Sequence, residues 1–156
     1  MLMNVFDESN ITWRSLDWLD HIKYYVYLVD KDAGIVDVLF KFAAGQKVML
    51  HRHKAPYVTF VVQGELKFFR PDGSLKETRE PGSYVAGVAN GEPHTEGAGE
   101  QDAIVFFSNR KVEDALYEFL DADMKPITTL GIADFQAELD AQRANGSAEK
   151  VRGRAA

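Results

Sequence analysis

The sequence contains no cysteine among its 156 residues. This absence excludes disulfide bonds, iron–sulfur clusters, thiolate zinc sites and a cysteine nucleophile. Any metal site in this chain must therefore use nitrogen and oxygen donors. The sequence also lacks a glycine-rich loop ahead of a helix, so no phosphate-binding loop is expected.

Long apolar runs and excess positive charge are also missing. No segment approaches the roughly 20 apolar residues that a membrane-spanning helix needs. The net charge is -6 and the only basic cluster is at 150–154, which argues against nucleic acid as a partner. The first residues lack the pattern of a signal peptide, so the cytoplasm is the expected location.

The segments that are present predict an all-β fold. Between residues 24 and 120, short alternating apolar segments are separated by glycine, proline and asparagine turns, which is typical of a sandwich or barrel. In the segment 36–42, for example, every second residue is apolar and Asp37 and Lys41 lie on the other face. The last strand is expected at 116–120, and strong helix formers predict a short helix at 134–143.

These patterns suggest one domain with two flanking segments. We expect an N-terminal arm at residues 1–22, a barrel at 23–122, a C-terminal segment with the short helix at 123–146, and a flexible tail at 147–156.

Three of the four histidines lie in two short segments that have the features of a metal site. The pair His51 and His53 would share one face of an extended strand, because side chains alternate along a strand. His94 follows a later glycine–proline turn and can complete a facial triad. Such a triad leaves coordination positions open, as a catalytic metal requires.

The spacing of these residues resembles the two cupin motifs. Gly45, the His51–His53 pair and Gly64 resemble the first motif, and Gly82 with Pro93 and His94 resembles the second. The resemblance covers residues 35–110. It implies a double-stranded β-helix, or jelly-roll, barrel with a metal bound inside. The second motif has one extra residue between its glycine and its histidine.

The sequence departs from the usual cupin at the carboxylate ligand. Tyr57 stands where the first motif normally carries a glutamate, and we do not count it as a ligand because its phenol would have to ionise. The ligand set His51, His53 and His94 is similar to that of the three-histidine cupins that act on acetylacetone and 2,4'-dihydroxyacetophenone. Those proteins often have a glutamate six residues before the third histidine, where this chain has Val88.

Four further residues are candidates for the surroundings of the metal. Glu96 shares the parity of His94 and is either a fourth ligand or, as we expect from the usual exposure of glutamates, a solvated carboxylate at the rim. Glu92 can substitute for the missing outer acid. The Tyr57 hydroxyl can hydrogen-bond a substrate or oxygen, and Met49 has the parity of His51, which predicts a position in the pocket wall.

The resemblance implies a non-haem Fe(II) dioxygenase that cleaves a C–C bond in a small β-diketone or hydroxyketone, without an organic cofactor. Two alternatives stay open: a non-oxidative isomerase or lyase that uses Mn, Ni or Zn, and a sensor cupin that binds a metal or ligand. The expected partners are a small-molecule substrate and O2, with no nucleic acid and no membrane. Cupins commonly pair through arms and edge strands, so a homodimer or homotetramer is expected.

Overall fold

The structure is a computed structural model and describes residues 6–145. Within this range it has twelve strands followed by one helix. The strands are β1 Arg14–Leu16, β2 Leu19–Asp30, β3 Ile35–Phe42, β4 His51–His53, β5 Tyr57–Gln63, β6 Leu66–Phe69, β7 Leu75–Arg79, β8 Tyr84–Gly87, β9 Thr95–Ala98, β10 Ala103–Asn109, β11 Ala115–Leu120 and β12 Pro126–Gly131, and the helix is α1 Ile132–Ala144.

The strands form antiparallel sheets whose order interleaves distant parts of the chain. One sheet has the order β1-β2-β3-β10-β5-β8, and two smaller sheets have the orders β12-β11-β4 and β7-β6-β9. A bridge between His51 and His94 joins the two smaller sheets into one layer. This interleaved arrangement is the jelly-roll barrel that the resemblance to cupins implies, with the short C-terminal helix at its end.

The core lies between the two layers and follows the predicted alternation. In β3, the residues Val36, Val38, Phe40 and Phe42 are buried in the barrel, while Asp37 and Lys41 face outwards. Phe107 of β10 lies on the same side and packs edge-on against Phe40. The barrel interior is therefore aromatic, which matters for the cavity described below.

The N-terminal region, predicted as an arm at 1–22, forms strands of the six-stranded sheet. β1 and the start of β2 both fall inside that range, so the expected boundary at residue 22 lies within a strand. The polar residues Asp20, His21 and Lys23 interrupt the apolar alternation that would signal a strand here. The backbone at His21 also has a positive φ of 70°. Residues 1–5 lie outside the described range.

The C-terminal region adds one strand that the sequence does not signal. β12 follows β11, which we expected to be the last strand, and most of its residues are exposed, so it lacks an apolar alternation. The helix, predicted at 134–143, is confirmed and spans Ile132–Ala144. The tail predicted at 147–156 lies outside the described residues.

One buried glutamine attaches the helix to the barrel. The side-chain carbonyl of Gln142 accepts a hydrogen bond from the Val26 N–H at 3.0 Å, and its amide donates to the Val26 carbonyl at 2.9 Å. The Gln142 side chain thereby pairs with the backbone of β2 as another strand would. Phe135 and Leu139 bury the same face of the helix.

We expect Gln142→Ala to lower the free energy of unfolding by about 2 to 4 kcal/mol, because it leaves two buried backbone groups of Val26 without partners. Urea denaturation followed by circular dichroism measures this loss. Gln136→Ala is the matched control, since the Gln136 amide bonds only to Asp140 on the exposed side of the same helix. Equal losses in the two variants would show that Gln142 does not anchor the helix.

The helix found among the described residues is neither long enough nor apolar enough to cross a membrane.

Candidate metal centre

One short strand and one bridge bring the three predicted histidines together. His51 and His53 are the first and last residues of β4, so both side chains point into the barrel. The backbone of His51 pairs with that of His94 through two hydrogen bonds of 3.0 and 2.9 Å. Arg52 points the other way and donates to the Gly91 carbonyl, as the alternation of the strand predicts.

Glu96 completes the group. Its Oε1 atom lies 2.9 Å from Nε2 of His51, 3.2 Å from Nε2 of His53 and 2.8 Å from Nε2 of His94. The Nε2 atoms of His53 and His94 are 3.2 Å apart. Donors at right angles around one ion, with metal–ligand bonds of about 2.1 Å, lie about 3 Å apart. The four side chains are therefore spaced as donors to a single ion.

The expectation that Glu96 is a solvated rim carboxylate is wrong. Only 2% of Glu96 is exposed, and the donor group is three histidines and one carboxylate rather than three histidines alone. Tertiary packing explains the difference. The segment that leads into β4 pairs edge to edge with β9, through a bridge between Lys47 and Gly97 and a hydrogen bond from the Val48 N–H to the Glu96 carbonyl oxygen. β9 therefore has a paired neighbour on both edges, and the parity that Glu96 shares with His94 directs its side chain into the barrel.

The hydrogen-bond pattern of His51 fits a cation at the centre of the group. Its Nδ1 contacts the Met49 carbonyl at 2.8 Å, and because a carbonyl only accepts, Nδ1 carries the hydrogen. A neutral His51 then presents the Nε2 lone pair to the Glu96 carboxylate, so two acceptors face each other at 2.9 Å. A shared cation, either a proton or a metal ion, relieves this repulsion.

The protonation states favour the same conclusion. Burial alone would raise the pKa of the Glu96 carboxyl, but its contacts with the three histidines hold it well below its usual range. Burial lowers the pKa of His53 to about 4, so this imidazole is neutral near pH 7. Burial also opposes the charged form of His51, but its bond to Glu96 outweighs this and raises the pKa.

The His53 ring is held in a different way from that of His51. The Nδ1 atom of His53 is buried and has no hydrogen-bond partner among residues 6–145. The ring is held instead by stacking on Tyr57, with centroids 3.7 Å apart and planes 13° from parallel. The buried group of three imidazoles and one carboxylate fits a divalent metal site, because its donor atoms converge on one point and an ion bound there would replace the shared proton.

Tyr57 lies behind His53 rather than in the cavity. Burial raises the pKa of its phenol, so the side chain stays neutral and is not an anionic ligand. Its position depends on Gly87, where a Cβ would lie 2.2 Å from the tyrosine ring. The predicted contact between the Tyr57 hydroxyl and a substrate is not part of this arrangement, since Tyr57 does not line the cavity.

Two other predicted residues lie elsewhere. The Glu92 side chain is about half exposed and its nearest charged partner is Lys76 at 3.8 Å, so it does not reach the metal centre. Met49 is half-buried, and Val48 lines the cavity in its place. The parity argument fails for Met49 because residues 48–50 are not a strand, so alternation does not extend back from His51.

A cavity of about 230 Å³ leads from the metal centre towards the surface. His51 and Glu96 lie in its wall, and most of its other lining is apolar or aromatic. The residues that sequence reasoning missed are mainly those of the β1–β2 turn, β11 and α1: Trp18, Tyr117, Phe119, Phe135 and Glu138. Tyr117 and Phe119 had a detectable signal, since they alternate on β11 and pair with His53 and His51.

The jelly-roll barrel and its buried donor group define a protein with the cupin fold and a candidate divalent-metal site. No protein-family model and no curated protein matches the chain. Solved structures do. An RmlC-like cupin from Ralstonia eutropha JMP134 is 18% identical over 94% of this chain and 90% of its own, with a TM-score of 0.71.

Two enzymes with the same fold are also similar to this chain. An acetylacetone dioxygenase from Acinetobacter johnsonii is 18% identical over 90% of this chain and 93% of its own, with a TM-score of 0.67. The DMSP lyase DddQ from Ruegeria pomeroyi DSS-3 is 18% identical over 69% of this chain and 60% of its own, with a TM-score of 0.55. At these identities the likeness establishes the fold.

Proposed function

We propose that this protein is a non-haem Fe(II) dioxygenase that cleaves a C–C bond in a β-diketone or hydroxyketone. One observation carries the proposal: a buried group of three histidines and one glutamate opens onto an apolar cavity lined by aromatic rings. The fold shared with an acetylacetone dioxygenase over nearly the whole length of both chains supports the choice of reaction.

The residues that would hold the ion are His51, His53, His94 and Glu96. A divalent ion bound there supplies an electrophilic centre that favours the enolate form of a 1,3-dicarbonyl over its neutral form. Glu96 contributes one negative charge to the group, and an enolate contributes a second. Two negative charges balance a divalent ion, so a monoanionic oxygen substrate suits this donor set in a poorly solvated site.

The apolar walls have a separate role. Phe40, Phe107, Tyr117 and Phe119 surround the inner part of the cavity and leave few polar groups for water to bind. Such walls favour an apolar substrate over water and keep an electron-rich enolate from being reprotonated. Tyr117 is itself held in place, because its hydroxyl donates to the buried side-chain Oδ1 of Asn109 at 3.3 Å.

The proposed reaction balances in atoms and electrons without an external reductant. One O2 adds to one diketone, the bond between the central carbon and one carbonyl carbon breaks, and a carboxylic acid and a 1,2-dicarbonyl form. All atoms of both reactants are found in the two products. The chain therefore needs neither an organic cofactor nor an electron-transfer partner for this reaction.

Non-oxidative chemistry is the second candidate, and a specific observation favours it. The same fold occurs in a lyase, and three imidazoles with one carboxylate also suit Mn, Ni or Zn. Raw affinity follows the Irving–Williams order, in which Fe(II) binds more weakly than Ni and Zn, so a purified sample can carry an ion that is not the working one.

Oxygen uptake separates the two candidates. The metal-free protein is loaded with Fe(II) under anaerobic conditions and mixed with a panel of β-diketones and hydroxyaryl ketones. We expect substrate-dependent uptake of one O2 per diketone consumed, and no uptake when Zn(II) replaces Fe(II). No uptake at a verified full iron load would overturn the dioxygenase proposal in favour of a non-oxidative enzyme or a sensor.

We also propose that the protein is a homodimer or a homotetramer. β8 is an edge strand of the six-stranded sheet, and its Tyr84 is 64% exposed beside Phe60 of β5, which is 40% exposed. An open edge with exposed aromatic residues favours pairing with a second copy.

We expect Tyr84→Asp to shift the protein towards the monomer, because the new charge would be buried at the contact. Multi-angle light scattering after gel filtration measures the change. Leu75→Asp is the control, because it adds the same charge at an exposed apolar residue of β7, in a different sheet. A wild-type monomer would contradict the proposal.

A further inference from the structure

The mouth of the cavity carries an exposed tryptophan. Trp18 lies in the two-residue turn between β1 and β2, where Leu16 pairs with Leu19, and it is 46% exposed. Its ring meets Phe119 edge-on at 5.2 Å, and Phe119 lies 5.8 Å from the His51 ring. A continuous series of rings therefore leads from the metal centre to Trp18, which also lines the cavity.

Three carboxylates also line this cavity: Asp134 and Glu138 of α1, and Glu96 of the metal centre. The nearby cation, Arg14, is committed to Glu138 at 3.2 Å, and the Tyr24 hydroxyl donates to the same carboxylate at 2.5 Å. Among residues 6–145, the cavity lining includes no lysine or arginine, so the mouth offers a ligand a flat indole and no cation that would pair with an anionic substituent.

The size of the cavity sets how far a substrate reaches. An apolar cavity of about 150 Å³ is large enough for benzene. The simplest β-diketone has seven non-hydrogen atoms, one more than benzene, so the volume of about 230 Å³ exceeds what it needs. A longer substituent on an inner carbonyl extends towards the mouth and meets Trp18.

We propose that Trp18 forms a subsite for a neutral aromatic arm, so that the substrate is an aryl-substituted 1,3-dicarbonyl rather than a small aliphatic one. This inference rests on the proposed function and narrows its substrate class. Trp18 acts as a specificity-determining residue: it stacks against the arm and does not touch the reacting carbons.

Ligand binding to the Zn(II)-loaded protein tests this subsite without turnover. Calorimetry would compare acetylacetone with 1-phenyl-1,3-butanedione as probes. We expect Trp18→Ala to weaken binding of the phenyl ligand about tenfold, as the loss of one aromatic contact implies. Acetylacetone binding should stay unchanged, and Trp18→Phe should restore most of the loss. A phenyl ring with a para carboxylate should bind more weakly than the unsubstituted ring.

The chain offers a matched control, since its only other tryptophan is Trp13. Trp13 donates to Glu8 and packs on the outer face of the six-stranded sheet, away from the cavity. Trp13→Phe should leave both affinities unchanged and make Trp18 the sole indole fluorophore. In that variant the phenyl ligand should quench the fluorescence, whereas acetylacetone should quench it less.

The outcomes separate this inference from the proposed function. If Trp18→Ala weakens both ligands equally, or neither, the subsite is overturned while diketone binding at the metal centre stands. If the selective loss occurs but the Fe(II) protein consumes no oxygen, the subsite stands and the dioxygenase proposal fails. If neither diketone binds the metal-loaded protein, both are overturned.

Discussion

His51→Ala is expected to abolish metal binding. His51 has its Nδ1–H fixed by the Met49 carbonyl, so its Nε2 lone pair is held towards the other donors with little freedom to lose. The substitution removes one imidazole donor and also the contact between His51 Nε2 and Glu96 Oε1 at 2.9 Å, which helps to position the carboxylate. We expect the affinity for a divalent ion to fall by more than the 10- to 100-fold that loss of an outer partner typically costs.

Metal analysis of dialysed protein and calorimetric titration with Zn(II) and Co(II) measure this effect. His21→Ala is the control, because His21 is an exposed histidine of β2 outside the donor group. Circular dichroism would confirm that the variant is folded, and His53→Ala provides a second test if it is not. Wild-type affinity in a folded His51→Ala protein would refute the proposed metal centre.

Glu96→Gln is expected to have the second largest effect. The substitution keeps the shape of the side chain but removes the charge that balances a divalent ion in a buried site. If Glu96 is a ligand, affinity should fall by more than about a hundredfold, whereas an outer partner that only orients a histidine costs 10- to 100-fold. The magnitude of the loss therefore distinguishes the two roles.

The visible absorption of the Co(II)-loaded protein gives an independent readout, since it responds to the donor set. We expect the spectrum of Glu96→Gln to differ from that of the wild type. Glu92→Gln is the matched control, because Glu92 is an exposed glutamate four residues away along the chain. An unchanged Co(II) spectrum in Glu96→Gln would show that the carboxylate is not a ligand.

The sequence predicts the parts of the site that depend on local periodicity. The alternation within β4 directs His51 and His53 inwards and Arg52 outwards, and the turn before β9 brings His94 back to them. The fold is predictable for the same reason, because regular spacing of short strands and turn residues is a local signal. The C-terminal helix likewise follows from its composition.

The features that sequence reasoning missed depend on contacts between distant segments. The parity of Glu96 is visible in the sequence, but its burial requires the segment before β4 to pair with β9, which no local pattern reveals. The prediction for Met49 is wrong for a different reason: it assumes the alternation of a strand at residues 48–50, which are not in a strand. Trp18 and helix α1 line the same cavity although more than a hundred residues separate them in the sequence, so only the folded chain shows that they are neighbours.

The salt bridge between Arg14 and Glu138 means that the two ends of the described chain meet above the cavity, whereas the four donors lie between residues 51 and 96. If both proposals hold, selection of the ligand at the mouth and binding of the ion are encoded in different stretches of sequence. Libraries that vary only the β1–β2 turn and α1 could retune what the protein accepts while leaving the donors intact. The same separation would let related barrels diverge in substrate through changes at their termini.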